Sequence, residues 1–137
     1  MSMGTKALRV PWKQSSGRDV RRALVSSLRE LEVDAIVVGE AEIVVSELVS
    51  NAVRYGRPLL DGTIQVTWTV RCGVVEVAVT DGGGPTTPRP APRATMAVAG
   101  RGLRIVRGLA HEWGVLQDRS GRTVWASLGG PSRRRVR

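Results

Sequence analysis

The sequence contains no phenylalanine, one tyrosine, one histidine and one cysteine in 137 residues. A single cysteine, Cys72, excludes an internal disulfide framework. One cysteine and one histidine, His111, are too few for a zinc centre built on nitrogen and sulfur ligands. No apolar run approaches the roughly 20 residues of a membrane helix. The N-terminus also lacks the charged, apolar and small-residue succession of a secretion signal. Neither a membrane span nor signal-directed export is expected, and the cytoplasm is the expected compartment. What remains is an ordinary globular mixture, 42% hydrophobic and 24% charged, which excludes wholesale disorder. The length suits one domain.

The formal net charge of +9 is unevenly spread. Between residues 30 and 61, seven acids face only Arg54 and Arg57, leaving −5, while the remainder sets nineteen bases against five acids, leaving +14. A polyanion is therefore an expected partner, whether nucleotide, nucleic acid or an acidic protein face. Direct nucleic-acid binding is the least favoured of these. No helix-turn-helix, zinc-finger or RNP-like pattern accompanies the charge, and few aromatics interleave with the arginines.

Residues 1–6 and the arginine-rich tail 131–137 are expected to be flexible, leaving residues 7–130 as one domain. Residues 7–11 suit a short edge strand, where Pro11 is tolerated. Val20, Ala23, Leu24, Leu28 and Leu31 recur at helical spacing and predict a helix over 18–31, with Arg21, Arg22 and Arg29 outward. Val44, Leu48 and Ala52 predict a second helix over 40–55, stopped by Gly56-Arg-Pro58. Two partly alternating runs, 63–70 and 74–80, read as strands joined by a short hairpin. Residues 81–99, with four prolines, read as a long loop of the kind retained for function. A third helix is predicted over 102–110, and a final hairpin joins strands at 113–116 and 122–128. The economical packing is an α+β two-layer sandwich, a mostly antiparallel sheet with helices on one face.

Three segments carry chemistry. In Glu47-Leu-Val-Ser-Asn51, the carboxylate and the carboxamide are four residues apart on one helical face. The Asn51 oxygen can ligate a hard cation such as Mg²⁺, and Glu47 can take a proton from an attacking hydroxyl or water. A plain polar helix face would look the same. In Val79-Thr-Asp81-Gly-Gly-Gly84, a strand-end carboxylate can accept a ring amino proton while the glycines let backbone approach a flat ligand. A capped turn is the plainer alternative. Gly100-Arg101-Gly102-Leu103 opens the third predicted helix, where bare N–H groups favour phosphate. Neither a dinucleotide fingerprint nor a P-loop is present.

Together and in this order, these segments resemble the small GHKL-type (histidine-kinase-like) ATP-binding proteins. The likeness is strongest to the anti-sigma-factor serine/threonine kinases and their standalone actinobacterial relatives. It is carried by ELVSNAVRYG from Glu47, VTDGGGP from Val79, GRGLRIVRGLAHEWGV from Gly100 and GRTVWASL from Gly121. The resemblance implies ATP and Mg²⁺ as cofactors, with Asn51 on the metal and Glu47 as general base. It implies that Asp81 binds the adenine amino group, that Gly83 lines the base pocket and that Thr123 supports the contact beside Asp81. Gly100, Arg101 and Gly102 would belong to a lid over the phosphates, with Leu103 among the nucleotide contacts. Partners implied are a sigma factor and an anti-anti-sigma (STAS-type) protein; a homodimer is expected from the resemblance only. The wider family's D-x-G-x-G motif ends here in Pro85 rather than glycine. An ATP-binding regulatory module without kinase activity is the alternative function.

Overall fold

The computed structural model describes residues 3–83 and 103–130. Its elements run β1 (Gly4–Pro11), α1 (Ser16–Glu30), α2 (Ala35–Tyr55), β2 (Thr63–Arg71), β3 (Val74–Asp81), β4 (Glu112–Asp118) and β5 (Gly121–Leu128). Residues 103–109 are also helical. The strands form one antiparallel sheet in the order β1-β2-β3-β5-β4, giving the expected α+β architecture. Among the described residues no helix is long and apolar enough to cross a membrane.

Local chemistry sets most boundaries. Val20, Leu24 and Leu28 recur at helical spacing on α1 and are fully buried. The helix closes in a Schellman arrangement, with Val33 N–H donating to Leu28 C=O at 3.0 Å and Glu32 N–H to Arg29 C=O at 3.0 Å. Glu32 adopts φ 57° to allow it. α2 begins five residues before the expected Glu40, because Asp34 caps it: its Oδ1 accepts the Ile36 N–H at 2.8 Å. Between β2 and β3, Cys72 and Gly73 take φ 51° and 77°, the paired left-handed geometry of a two-residue hairpin turn.

β1 starts at Gly4, three residues ahead of expectation. Residues expected to fray instead continue the ladder, Gly4 opposite Val70, Thr5 opposite Thr69 and Lys6 opposite Trp68. The β4–β5 hairpin is likewise longer, since Asp118 Oδ1 accepts N–H groups of Ser120 at 2.8 Å and Gly121 at 3.2 Å.

The core lies between the helices and one sheet face. Ile64, Val66, Val75, Val77 and Ala126 contribute fully buried side chains from alternate strand positions. α2 supplies Ala41, Val44, Val45 and Val49 from a broad apolar surface, and Val106 comes from the helical residues 103–109. Trp68 Nε1 donates to Ser27 Oγ at 3.0 Å, so the one polar atom of that buried ring is satisfied from α1. Leu24→Ala is expected to lower the unfolding free energy by about 2–5 kcal/mol. Ser27→Ala is expected to lower it by about 1–3 kcal/mol, because the Trp68 N–H loses its acceptor. Urea-denaturation midpoints measure both.

Candidate functional site

The apolar rows of the sheet change character at one end. Val75, Val77 and Val79 of β3 stand opposite Leu128, Ala126 and Val124 of β5, all buried. The next inward pair in the same register is Asp81 opposite Arg122. Asp81 is 2% exposed. Its Oδ1 accepts the Gly83 N–H at 2.6 Å and its Oδ2 accepts an Arg122 Nη2 proton at 3.2 Å. On β4, Gln117 stands opposite Arg122, so three adjacent strands end in a polar row.

The end of α2 forms a second wall. Gly56, the helix C-cap, lies so close to Asp81 that a Cβ there would overlap the carboxylate. The chain stays close beyond it: Gly82 N–H donates to Arg57 C=O at 2.7 Å, and a Cβ on Gly82 would overlap the Pro58 carbonyl. These two glycines are required by the approach of backbone and carboxylate. Asn51 is buried on α2 five residues before Gly56, about 7–8 Å along the axis at the usual helical rise. Glu47, half-buried, is one turn further back on the same flank. Trp12 Nε1 donates to the Ala52 carbonyl at 3.1 Å and ties the segment after β1 to this turn of α2.

Burial pushes the Asp81 carboxyl above its ordinary 3.8, against the pull of the Arg122 charge and the Gly83 N–H. The folded protein therefore holds that proton more tightly than the unfolded chain. Its stabilising contribution is complete below 3.8 and is lost as pH rises through the raised value.

Asp81 and Gly83 are thus directly joined, and Asn51 and Glu47 sit on the helix whose end abuts Asp81. Thr123, expected beside Asp81, is out of phase. Its hydroxyl lies 2.7 Å from that of Thr80, its opposite number, on the other face of the sheet. The side chain that reaches Asp81 across the strands is Arg122. Sequence reading missed it, although Arg122 is in phase with Val124, Ala126 and Leu128, the inward-facing series. Gly56 was legible as a helix stop and not as a wall. Leu103 is half-buried at the start of the helical residues 103–109 and packs against the core. Gly100, Arg101 and Gly102 lie outside the described residues, as does most of the expected loop 81–99.

Among the described residues no group of three or more His, Cys, Asp or Glu side chains forms a metal cage. Asn51 suits a different donor set, in which a hard cation takes a single protein oxygen and completes its shell with phosphate oxygens and water. The Asp81 carboxylate, when ionised, is a hydrogen-bond acceptor of the kind that an amino group requires.

A buried strand-end carboxylate beside a glycine-capped helix, on an antiparallel sheet covered by helices, defines the class as a two-layer α+β domain with its polar site at one end of the core. The model of the histidine kinase-like ATPase domain family matches residues 10–128, and the chain belongs to that family. Among solved structures it is similar to the RsbU and RsbW domains of Rv1364c from Mycobacterium tuberculosis. That likeness has a TM-score of 0.67 and 23% identity, covering 90% of this chain and 32% of that one. The chain therefore spans about a third of that chain, and the likeness is one of fold. No curated protein matches it.

Gly56→Ala is expected to destabilise the protein by about 1–3 kcal/mol through overpacking against Asp81. Asp81→Asn is expected to remove the fall in stability between about pH 4 and the raised carboxyl value, read from urea midpoints across that range.

Proposed function

We propose that this protein is an ATP-dependent serine/threonine protein kinase of the anti-sigma-factor type. It would phosphorylate a hydroxyl of an anti-anti-sigma (STAS-type) partner and, in its other state, sequester a sigma factor. The observation that carries this reading is the burial of Asn51 and Asp81 on adjoining elements of a histidine kinase-like ATPase domain. Both partners would place the protein in the cytoplasm, and a homodimer rests on the resemblance alone.

Bound Mg-ATP supplies the transferable phosphoryl group and the cation that offsets its charge. The chain's part is recognition, orientation and proton transfer. Asp81 accepts a hydrogen bond from the amino group of the base, and the Gly83 backbone beside it leaves room for a flat ring. The Asn51 amide oxygen holds the cation. A Glu47 carboxylate oxygen takes the proton of the attacking hydroxyl, a contribution of about 10²–10⁴-fold. Gly100, Arg101 and Gly102 are assigned to the phosphates, and Leu103 to the nucleotide, on the resemblance.

A protein partner is supported by a second feature. Arg18, Arg21, Arg22 and Arg29 line one groove on α1, beside Glu42 of α2. Four arginines on one helical face suit an acidic protein surface. A regulatory module that binds ATP without transferring phosphate is the second reading, favoured by Pro85 at the last position of the family's glycine motif.

Titration calorimetry with Mg-ATP tests the site. Asn51→Ala and Asp81→Ala are expected to lose binding, and retention of full affinity in both would overturn the assignment. Glu47→Ala is expected to bind ATP normally while transfer of labelled γ-phosphate to a STAS-type protein falls about 10²–10⁴-fold. Wild-type protein that binds ATP tightly and labels no such partner would select the second reading.

A further inference from the structure

The pairing of Asp81 with Arg122 has consequences for what the site accepts. Asp81 is nearly inaccessible, and an unaccompanied carboxyl in such surroundings tends to take up a proton. Protonation would change its hydrogen-bonding character. An ionised carboxylate only accepts, whereas a carboxylic acid also donates. Toward the 6-position of a purine, an acceptor matches the amino group of adenine and a donor matches the oxo group of hypoxanthine.

The surroundings of Asp81 come from three directions. β5 presents Arg122, the chain just beyond β3 presents the Gly83 N–H, and the end of α2 presents Gly56 with the Ala52 carbonyl nearby. Gln117 on β4, uncharged, stands beyond Arg122. Among the described residues Arg122 is the one charge that acts on Asp81. A guanidinium keeps its proton at any pH a protein survives, so its influence does not titrate away.

The contact is also sparing. One Nη2 proton meets Oδ2 at 3.2 Å, and the buried Arg122 Nε has no hydrogen-bond partner among the described residues. The pair is not the two-pronged arrangement that would fill the carboxylate. An ionised carboxylate offers about four acceptor positions. The Gly83 N–H and Arg122 occupy two of them.

We propose that Arg122 is a positioning residue that sets base selectivity: its guanidinium on Asp81 Oδ2 keeps the carboxylate a pure acceptor, so a base that turns its 6-position to Asp81 is taken as adenine in preference to hypoxanthine, whose 6-oxo group is itself an acceptor. This rests on Asp81 as the base-binding group of the proposed nucleotide site. Arg122 does not touch the reacting atoms; it acts through Asp81.

The test compares wild type, Arg122→Met and Arg122→Lys. Mg-ATP and Mg-ITP, which differ at position 6 of the base in amino against oxo, are titrated calorimetrically at several pH values. Wild type is expected to prefer ATP. In Arg122→Met the ATP-to-ITP preference is expected to shrink about tenfold, with ATP affinity falling about tenfold per pH unit below the Asp81 midpoint and recovering above it. Arg122→Lys, which restores the charge, is expected to regain both the preference and a flatter profile. The Asp81 carboxyl is followed in parallel by carbon-13 NMR in the nucleotide-free proteins, where Arg122→Met is expected to titrate at higher pH than wild type. A folded Arg122→Met protein with unchanged preference and unchanged Asp81 midpoint would overturn the role of Arg122 and leave the nucleotide site standing. Wild type that binds neither nucleotide would overturn the site and the selectivity with it, even if the NMR midpoint moved.

Discussion

One buried carboxylate constrains the whole end of this molecule. Taking Asp81 out of water is unfavourable, and the chain offsets it with a backbone N–H two residues on and a guanidinium across the strands. Those two contacts in turn fix their surroundings. The Gly83 N–H reaches back only if the chain turns at Gly82, which needs contact with the Arg57 carbonyl and no side chain facing Pro58. Arg122 reaches across only if β3 and β5 keep their register to the last residue pair. α2 has to end in a residue without a Cβ where it meets the carboxylate. The stop of a helix, the tightness of a turn and the register of two strands are thus tied to one side chain.

The scaffold around Asp81 is a broad apolar core. α2 buries Val44, Val45, Leu48 and Val49, with Asn51 buried and Glu47 half-buried on the same helix. A helix held so widely cannot slide without exposing several side chains. Asn51 and Asp81 are thus carried on elements packed against one another although they lie 30 residues apart in the chain.

Much of this was legible from local pattern. Period-two runs marked β2 and β3, and helical spacing marked both long helices, because each signal is generated within a few residues. Boundaries were less legible where a distant partner decides them. β1 reaches back to Gly4 because β2 is there to pair with it, and nothing in Gly4-Thr-Lys6 announces that partner. α2 begins at Ala35 because of the Asp34 cap, obscured by Gly39 within the helix. Of the candidate site residues, Glu47, Asn51, Asp81 and Gly83 stand out in the sequence as motif residues, and the structure joins Asp81 to Gly83. Gly56 and Arg122 do not stand out, since their importance comes from contacts made across 25 and 41 residues of chain. Register between β3 and β5 is a property of the folded sheet; only the phase of Arg122 with Val124, Ala126 and Leu128 hinted at it.

The buried polar groups of the core divide by how well they are satisfied. Ser16 Oγ donates to the Pro11 carbonyl at 2.6 Å, and Ser27 accepts from Trp68, each a short contact that stabilises the packing around it. The Asp81–Arg122 pair behaves otherwise. It interrupts two rows of valine, alanine and leucine, its single contact is long for charged partners, and it leaves a buried Nε without a partner among the described residues. An apolar pair continuing the rows would be neutral or favourable for stability. The inward positions hold apolar pairs at three successive places and a charged pair at the fourth, a local departure from the pattern that builds the core. That break falls where α2, β3 and β5 meet, and it is the strongest physical reason to look for the ligand there.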